Sequence, residues 1–147
     1  MLDLKDFEEA SQIVSQVAND TKLVYSDFFS NACGNKVYLK PENMQVTGAY
    51  KVRGAYYKIS TLSDEDKGLI TASAGNHAQG VAKAAKKFGV RATIVMPTTT
   101  PLIKVNRTKS YGAQVLLFGD VFDDANARAL ELAEEHGYTF IPPFDHL

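Results

Sequence analysis

From Lys51 onward, short apolar runs alternate with capped amphipathic segments, and this alternation restricts the fold more than any other feature of the chain. Gly68-Leu69-Ile70-Thr71-Ala72, Arg91-Ala92-Thr93-Ile94-Val95-Met96, Ala113-Gln114-Val115-Leu116-Leu117-Phe118 and Tyr138-Thr139-Phe140-Ile141 read as strands. Between and around them the spacing predicts helices. The first covers 53–61, followed by a capped turn at Ser63-Asp64-Glu65-Asp66 with capping-box spacing. The second covers 75–88, with Ala78, Val81, Ala82, Ala85 and Phe88 on one face and Gly89 as its stop. A third opens with Thr100 as N-cap and Pro101 at the first helical position and runs to Tyr111. The last is capped by Asp120, carries Phe122, Ala125, Ala129 and Ala133 on one face, and stops at His136-Gly137. Nearly continuous apolar strands separated by crossover helices are buried on both faces. The expectation is an α/β fold: an open parallel sheet of about four strands with helices on both faces.

Residues 1–50 stand outside this alternation. They predict one helix over 4–18, a connector, and the strand Lys36-Val37-Tyr38-Leu39-Lys40. We read 1–50 as a partial segment of a second, larger domain, and 51–147 as a small α/β domain. A formal net charge of −1, with neither basic blocks nor an arginine stripe, argues against nucleic acid or an anionic membrane as partner. The lone Cys33 excludes an internal disulfide. It is read as a buried or bystander thiol, since no histidine is near it in sequence to activate it. The acidic start, Met1-Leu2-Asp3-Leu4-Lys5-Asp6, does not read as a targeting peptide. No apolar run approaches membrane-spanning length. The expected setting is cytoplasmic.

Two stretches carry chemistry. In Thr47-Gly48-Ala49-Tyr50-Lys51-Val52-Arg53-Gly54-Ala55, one lysine sits beside an aromatic ring, between glycines that permit close approach, where a helix begins. Lys51 is open to two readings, a solvated lysine of a first helical turn or a nucleophilic amine. Arg53 adds a neighbouring cation, which favours the neutral, attacking form. The second stretch, Ser73-Ala74-Gly75-Asn76-His77-Ala78-Gln79-Gly80, is a turn leading into a helix N-terminus, where free N–H groups favour an anion such as a carboxylate. His77 is open as an acid/base or as a structural histidine. His77, His136 and His146 have no metal-ligand spacing, so no metal is expected. The ten glycines are all isolated, so no nucleotide-binding G-x-G or P-loop occurs, and no cup for a cofactor phosphate is evident. A Schiff-base lysine with a carboxylate loop suits amino-acid chemistry on a pyridoxal cofactor.

At these residues the chain resembles the threonine dehydratases (threonine ammonia-lyases), in the tryptophan-synthase-β-like class of pyridoxal-phosphate enzymes. The pieces are Lys40-Pro41-Glu42-Asn43-Met44-Gln45, 47–55, 71–82, Val95-Met96-Pro97, Gly112-Ala113-Gln114-Val115, Gly119 with Phe122-Asp123, and Pro142-Pro143-Phe144-Asp145-His146. The resemblance implies that Lys51 is the Schiff-base lysine, that Tyr50 packs on the cofactor ring and that Asn76 contacts the ring hydroxyl. It implies that Ser73, Ala74, Gly75, Asn76 and His77 hold the substrate carboxylate. The implied reaction is α,β-elimination from L-threonine or L-serine to a 2-oxo acid and ammonia, within amino-acid metabolism that includes isoleucine biosynthesis. The implied cofactor is pyridoxal 5'-phosphate, the implied partner a small amino acid, and the implied assembly a homo-oligomer. The family's glycine-rich phosphate loop has no counterpart here, so the chain reads as an N-terminal fragment, inactive alone. Serine racemase shares the lysine motif and is the near alternative. A non-catalytic α/β module, binding a carboxylate ligand or a partner subunit, is the alternative from another class.

Overall fold

The computed structural model describes residues 2–63 and 68–144. The turn expected at 63–66 lies, beyond Ser63, outside the described residues, as do Asp145 and His146.

Asp3 opens α1 (Leu4–Val14) with a reciprocal cap: its carboxylate accepts the Asp6 N–H at 3.2 Å, and the Asp6 carboxylate accepts the Asp3 N–H at 2.8 Å. The helix stops short of the expected residue 18. Ser15 Oγ donates back to the Gln12 carbonyl at 2.7 Å, and Gln16 and Val17 turn to the tighter i→i−3 pattern. β1 (Val24–Tyr25), α2 (Asp27–Cys33) and β2 (Tyr38–Leu39) follow, β1 and β2 pairing antiparallel. The strand expected over 36–40 is reduced to two residues because its partner offers only two. This segment is tied to the rest: Val14 is buried, and Ile13 and Val17 lie against the main core.

α3 (Lys51–Ser60) begins two residues earlier than expected, since Tyr50 already has helical backbone angles. β3 (Leu69–Ala72), α4 (Asn76–Phe88), β4 (Ala92–Met96), α5 (Leu102–Ser110), β5 (Gln114–Leu117), α6 (Phe122–His136) and β6 (Thr139–Phe140) complete the chain. The four later strands form one parallel sheet, as the strand–helix alternation predicts, and their order is β5-β4-β3-β6. Successive strand residues face opposite sides. Leu69, Ile94 and Met96 therefore join Tyr56, Ala78 and Val81 in one core, while Ile70, Ala72 and Val95 meet Ala125, Ala129 and Leu132 of α6 in the other.

Two expected caps move. Pro101 keeps an extended backbone (φ −54°, ψ 133°), so α5 starts after it and Thr100 caps nothing. Asp124, from inside the first turn of α6, accepts the N–H groups of Asp120 and Val121 at 3.0 and 3.3 Å. Asp120 instead accepts from Thr98 Oγ1 at 3.0 Å.

Candidate functional site

The chain runs outward from β3 through β4 to β5, then returns on the opposite side of β3 as β6. Such a reversal opens a crevice at the carboxyl ends of the strands, the usual ligand position in open α/β sheets. The loop 73–75 follows β3 and the segment 141–144 follows β6. Lys51, the first residue of α3, reaches this crevice: its Nζ donates to the Pro143 carbonyl at 2.6 Å. The rings of Tyr50 and Phe144 each lie 5.7 Å from that nitrogen, and both are largely exposed. An amine stands beside two accessible aromatic rings.

Across the crevice, Ser73 N–H donates to Val95 O at 3.1 Å, and Ser73 Oγ accepts the Gly75 N–H at 3.1 Å, which closes the loop into a compact turn. Gly75 occupies the cap position of α4 without a side-chain hydrogen bond, so the opening N–H groups at Asn76, His77 and Ala78 have no partner within the helix. A Cβ placed on Gly75 would meet nothing within 4 Å, and Asn76 is exposed. This is open space beside free donors, suited to a carboxylate.

His77 is committed elsewhere. Its ring is buried, with Nε2 3.1 Å from the Ile141 carbonyl. A carbonyl only accepts, so Nε2 carries the hydrogen. Burial, chiefly, pushes the ring's pKa below its ordinary value, and the Lys51 charge pushes the same way. Thr71 Oγ1 donates to the same carbonyl at 2.6 Å. Sequence reasoning missed the roles of Thr71, Ile141 and Pro143. The Pro142-Pro143 pair reads as a strand breaker, and nothing local announces a contact to Lys51 across 92 positions.

Two further readings change. Arg53 is no bare cation beside Lys51: its Nε and Nη2 donate to Glu42 at 2.8 and 2.9 Å. That pairing, chiefly, holds the Glu42 carboxyl at about 2. Nor is Gly54 the close-approach glycine, since a Cβ there would meet nothing within 4 Å. Gly80 is: a Cβ on it would lie 3.1 Å from the Lys51 carbonyl carbon and 3.2 Å from Lys51 O and Val52 N. The crossing of α4 over the start of α3 thus leaves little room for a side chain at Gly80, directly against the backbone from which Lys51 projects.

The chain matches the family described as pyridoxal-phosphate dependent enzyme over residues 14–147. It is 49% identical over 147 residues to the L-threonine ammonia-lyase of Thermotoga maritima, which covers 99% of this chain and 37% of that protein. Its backbone superposes on the processed form of threonine deaminase isoform 2 from Solanum lycopersicum with a TM-score of 0.88 and 43% identity, covering 99% of this chain and 44% of that one. Serine racemase from Dictyostelium discoideum superposes with a TM-score of 0.90 at 33% identity, covering 99% and 48%. The chain spans less than half the length of these proteins. Because the family match takes in the sheet, the crevice and Lys51 together, this chain belongs to the family of pyridoxal-phosphate-dependent enzymes.

Proposed function

We propose that this chain supplies the Schiff-base lysine and the substrate-carboxylate loop of a threonine ammonia-lyase, which converts L-threonine or L-serine to a 2-oxo acid and ammonia. The observation that carries this reading is the Lys51 amine, set at the switch-point crevice within 5.7 Å of two exposed aromatic rings. A flat heteroaromatic aldehyde fits such a setting, with Lys51 to capture its carbonyl, Tyr50 to pack on its ring and Asn76 within the crevice to bond its hydroxyl. When bound, pyridoxal phosphate supplies the aldehyde and the electron sink for charge developing at the substrate α-carbon. The N–H groups opening α4, with Ser73, Ala74 and Gly75, hold the substrate carboxylate. Once the substrate amine has replaced Lys51 at the captured carbonyl carbon, the freed Lys51 Nζ takes the α-proton and passes a proton to the departing β-hydroxyl, which leaves as water. The enamine so released hydrolyses to the 2-oxo acid and ammonia. His77 contributes its backbone N–H here, its ring being engaged with Ile141.

The cofactor phosphate carries about −1.5 to −2 charge and needs several converging donors. With the 73–77 loop given to the substrate, we place the phosphate site outside this chain. In the same reading, residues 1–50 form part of a larger domain and 51–147 a smaller one. The exposed apolar side chains of Phe7, Phe28 and Leu39 support further packing there, within the whole protein or in a homo-oligomer. No helix among the described residues is long and apolar enough to cross a membrane, and the free, exposed Cys33 fits the cytoplasmic setting we propose. A serine racemase-like activity is the near alternative, and the lower identity, 33% against 43%, disfavours it.

Reduction with borohydride in the presence of pyridoxal phosphate, on a chain of the relatives' full length, tests the reading. A pyridoxyl adduct mapped to Lys51, absent in Lys51→Ala, is expected. Adducts scattered over exposed lysines with no preference for Lys51 would sink it. Threonine deamination is expected only in a chain of the relatives' full length, where Lys51→Ala abolishes it and released 2-oxo acid distinguishes a lyase from a racemase.

A further inference from the structure

Thr71 lies in β3 and His77 in the first turn of α4, on either side of the substrate loop, yet both send their hydrogen bonds across to the end of β6. Thr71 Oγ1 meets the Ile141 carbonyl at 2.6 Å and His77 Nε2 meets the same oxygen at 3.1 Å. All three residues are buried. The Ile141 N–H is held as well, donating to Ile70 O at 2.9 Å. One donor would suffice to satisfy a buried carbonyl. Three bonds on one residue beyond the strand fix its position instead. The next two residues are prolines, with fixed φ and no N–H, so a placement at Ile141 passes to Pro143 with little slack. The Pro143 carbonyl is the acceptor for Lys51 Nζ at 2.6 Å.

We propose that Thr71 and His77 are positioning residues: by clamping the Ile141 carbonyl they set the Pro143 carbonyl, which parks the Lys51 amine until a carbonyl-bearing ligand displaces it. The proposal rests on the reading of Lys51 as the carbonyl-capturing amine. The clamp joins the loop assigned to the substrate with the acceptor that holds the lysine. It gives the His77 ring a role other than proton transfer.

Trace acetylation of the full chain with acetic anhydride, quantified by mass spectrometry, provides the test, because this reagent has no ring to dock. Lys51 should label about threefold or more slowly than the exposed Lys87 and Lys104, as expected for an amine held by a charge-assisted hydrogen bond. His77→Leu and Thr71→Val should each bring Lys51 up to the reference rate. His77→Gln and Thr71→Ser, which keep a donor, should leave it slow. Equal labelling of Lys51 and the references in the parent chain, or no change in either disrupted variant, overturns the proposal. Should both disrupted variants fail to fold, the parent's nitrogen NMR spectrum still decides: a slowly exchanging His77 Nε2–H supports the clamp and the Nδ1–H tautomer refutes it. A chain that traps pyridoxal phosphate at Lys51 but shows no slow labelling sinks the clamp alone. One that labels slowly but traps nothing at Lys51 sinks the functional reading.

Discussion

Gly80 and Gly54 make opposite predictions for the same substitution. Alanine is favoured over glycine in a helix interior by about 0.8–1.0 kcal/mol. At Gly54 nothing opposes that preference, so Gly54→Ala should stabilise the chain by up to about 1 kcal/mol. At Gly80 the new methyl would press on the backbone of Lys51 and Val52, which cannot rotate away as a side chain can. Overpacking costs about 1–3 kcal/mol, enough to outweigh the helix preference, so Gly80→Ala should lower the urea midpoint. A Gly80→Ala variant more stable than its parent would contradict the close crossing. His77 makes a prediction for pH. Its folded pKa lies below the ordinary value of 6.5, so the neutral ring's contribution is complete above that pH and is lost as pH falls through the folded pKa. Melting temperature should therefore decline on acidification below about 6.5, and His77→Gln should remove that part of the decline.

The elements were legible to different depths. Helices α4 and α6 carry glycine stops and one-sided apolar stripes, both local signals, and the structure agrees with them to within one or two residues. Helix starts were harder, because a cap is a choice among nearby oxygens: Asp124 competes successfully with Asp120, and Pro101 displaces Thr100. The link between the first segment and α3 was invisible, since it is made of residues far apart in the chain. Asn19 and Gln45 exchange two hydrogen bonds at 2.9 and 2.8 Å, Thr21 donates to Glu42 at 2.5 Å, and Glu42 receives Arg53 through both oxygens. Lys40 Nζ completes the cluster by donating to the Thr21 carbonyl. Glu42 is mostly buried and Arg53 only partly, so solvent weakens the pair. Glu42→Gln should cost about 1–2 kcal/mol in denaturant titrations at neutral pH. With the carboxyl held at about 2 against an ordinary 4.5, its contribution is complete above pH 4.5 and is lost as pH falls through about 2. The variant should flatten the acid limb of the stability curve across that interval; an unchanged limb would place the effect elsewhere.

Across the whole molecule, burial is uneven. The two faces of β3 and β4 are covered by separate cores, whereas Leu116 and Leu117 of the edge strand β5, and Val24, Tyr25, Tyr38 and Leu39 of the small antiparallel pair, are exposed. Hydrogen exchange should be slowest at Ile70, Thr71, Ile94 and Val95 and fast at the amides of β1 and β2. Comparable protection of both sheets in a monomer would refute that ranking. The strand–helix alternation sufficed to set the fold class, because burial on both faces imposes apolar composition residue by residue, and composition is written in the chain itself. The lysine and the loop were legible for a related reason: a turn into a helix start, and an amine flanked by glycines, are local arrangements. Strand order, and with it the crevice at the switch between β3 and β6, depended on which edge of the sheet α6 returned to. So did the meeting of Lys51 with Pro143, of His77 and Thr71 with Ile141, and of Gly80 with the Lys51 backbone. These are contacts between segments brought together only when both cores close, and no local pattern encodes a partner that distant.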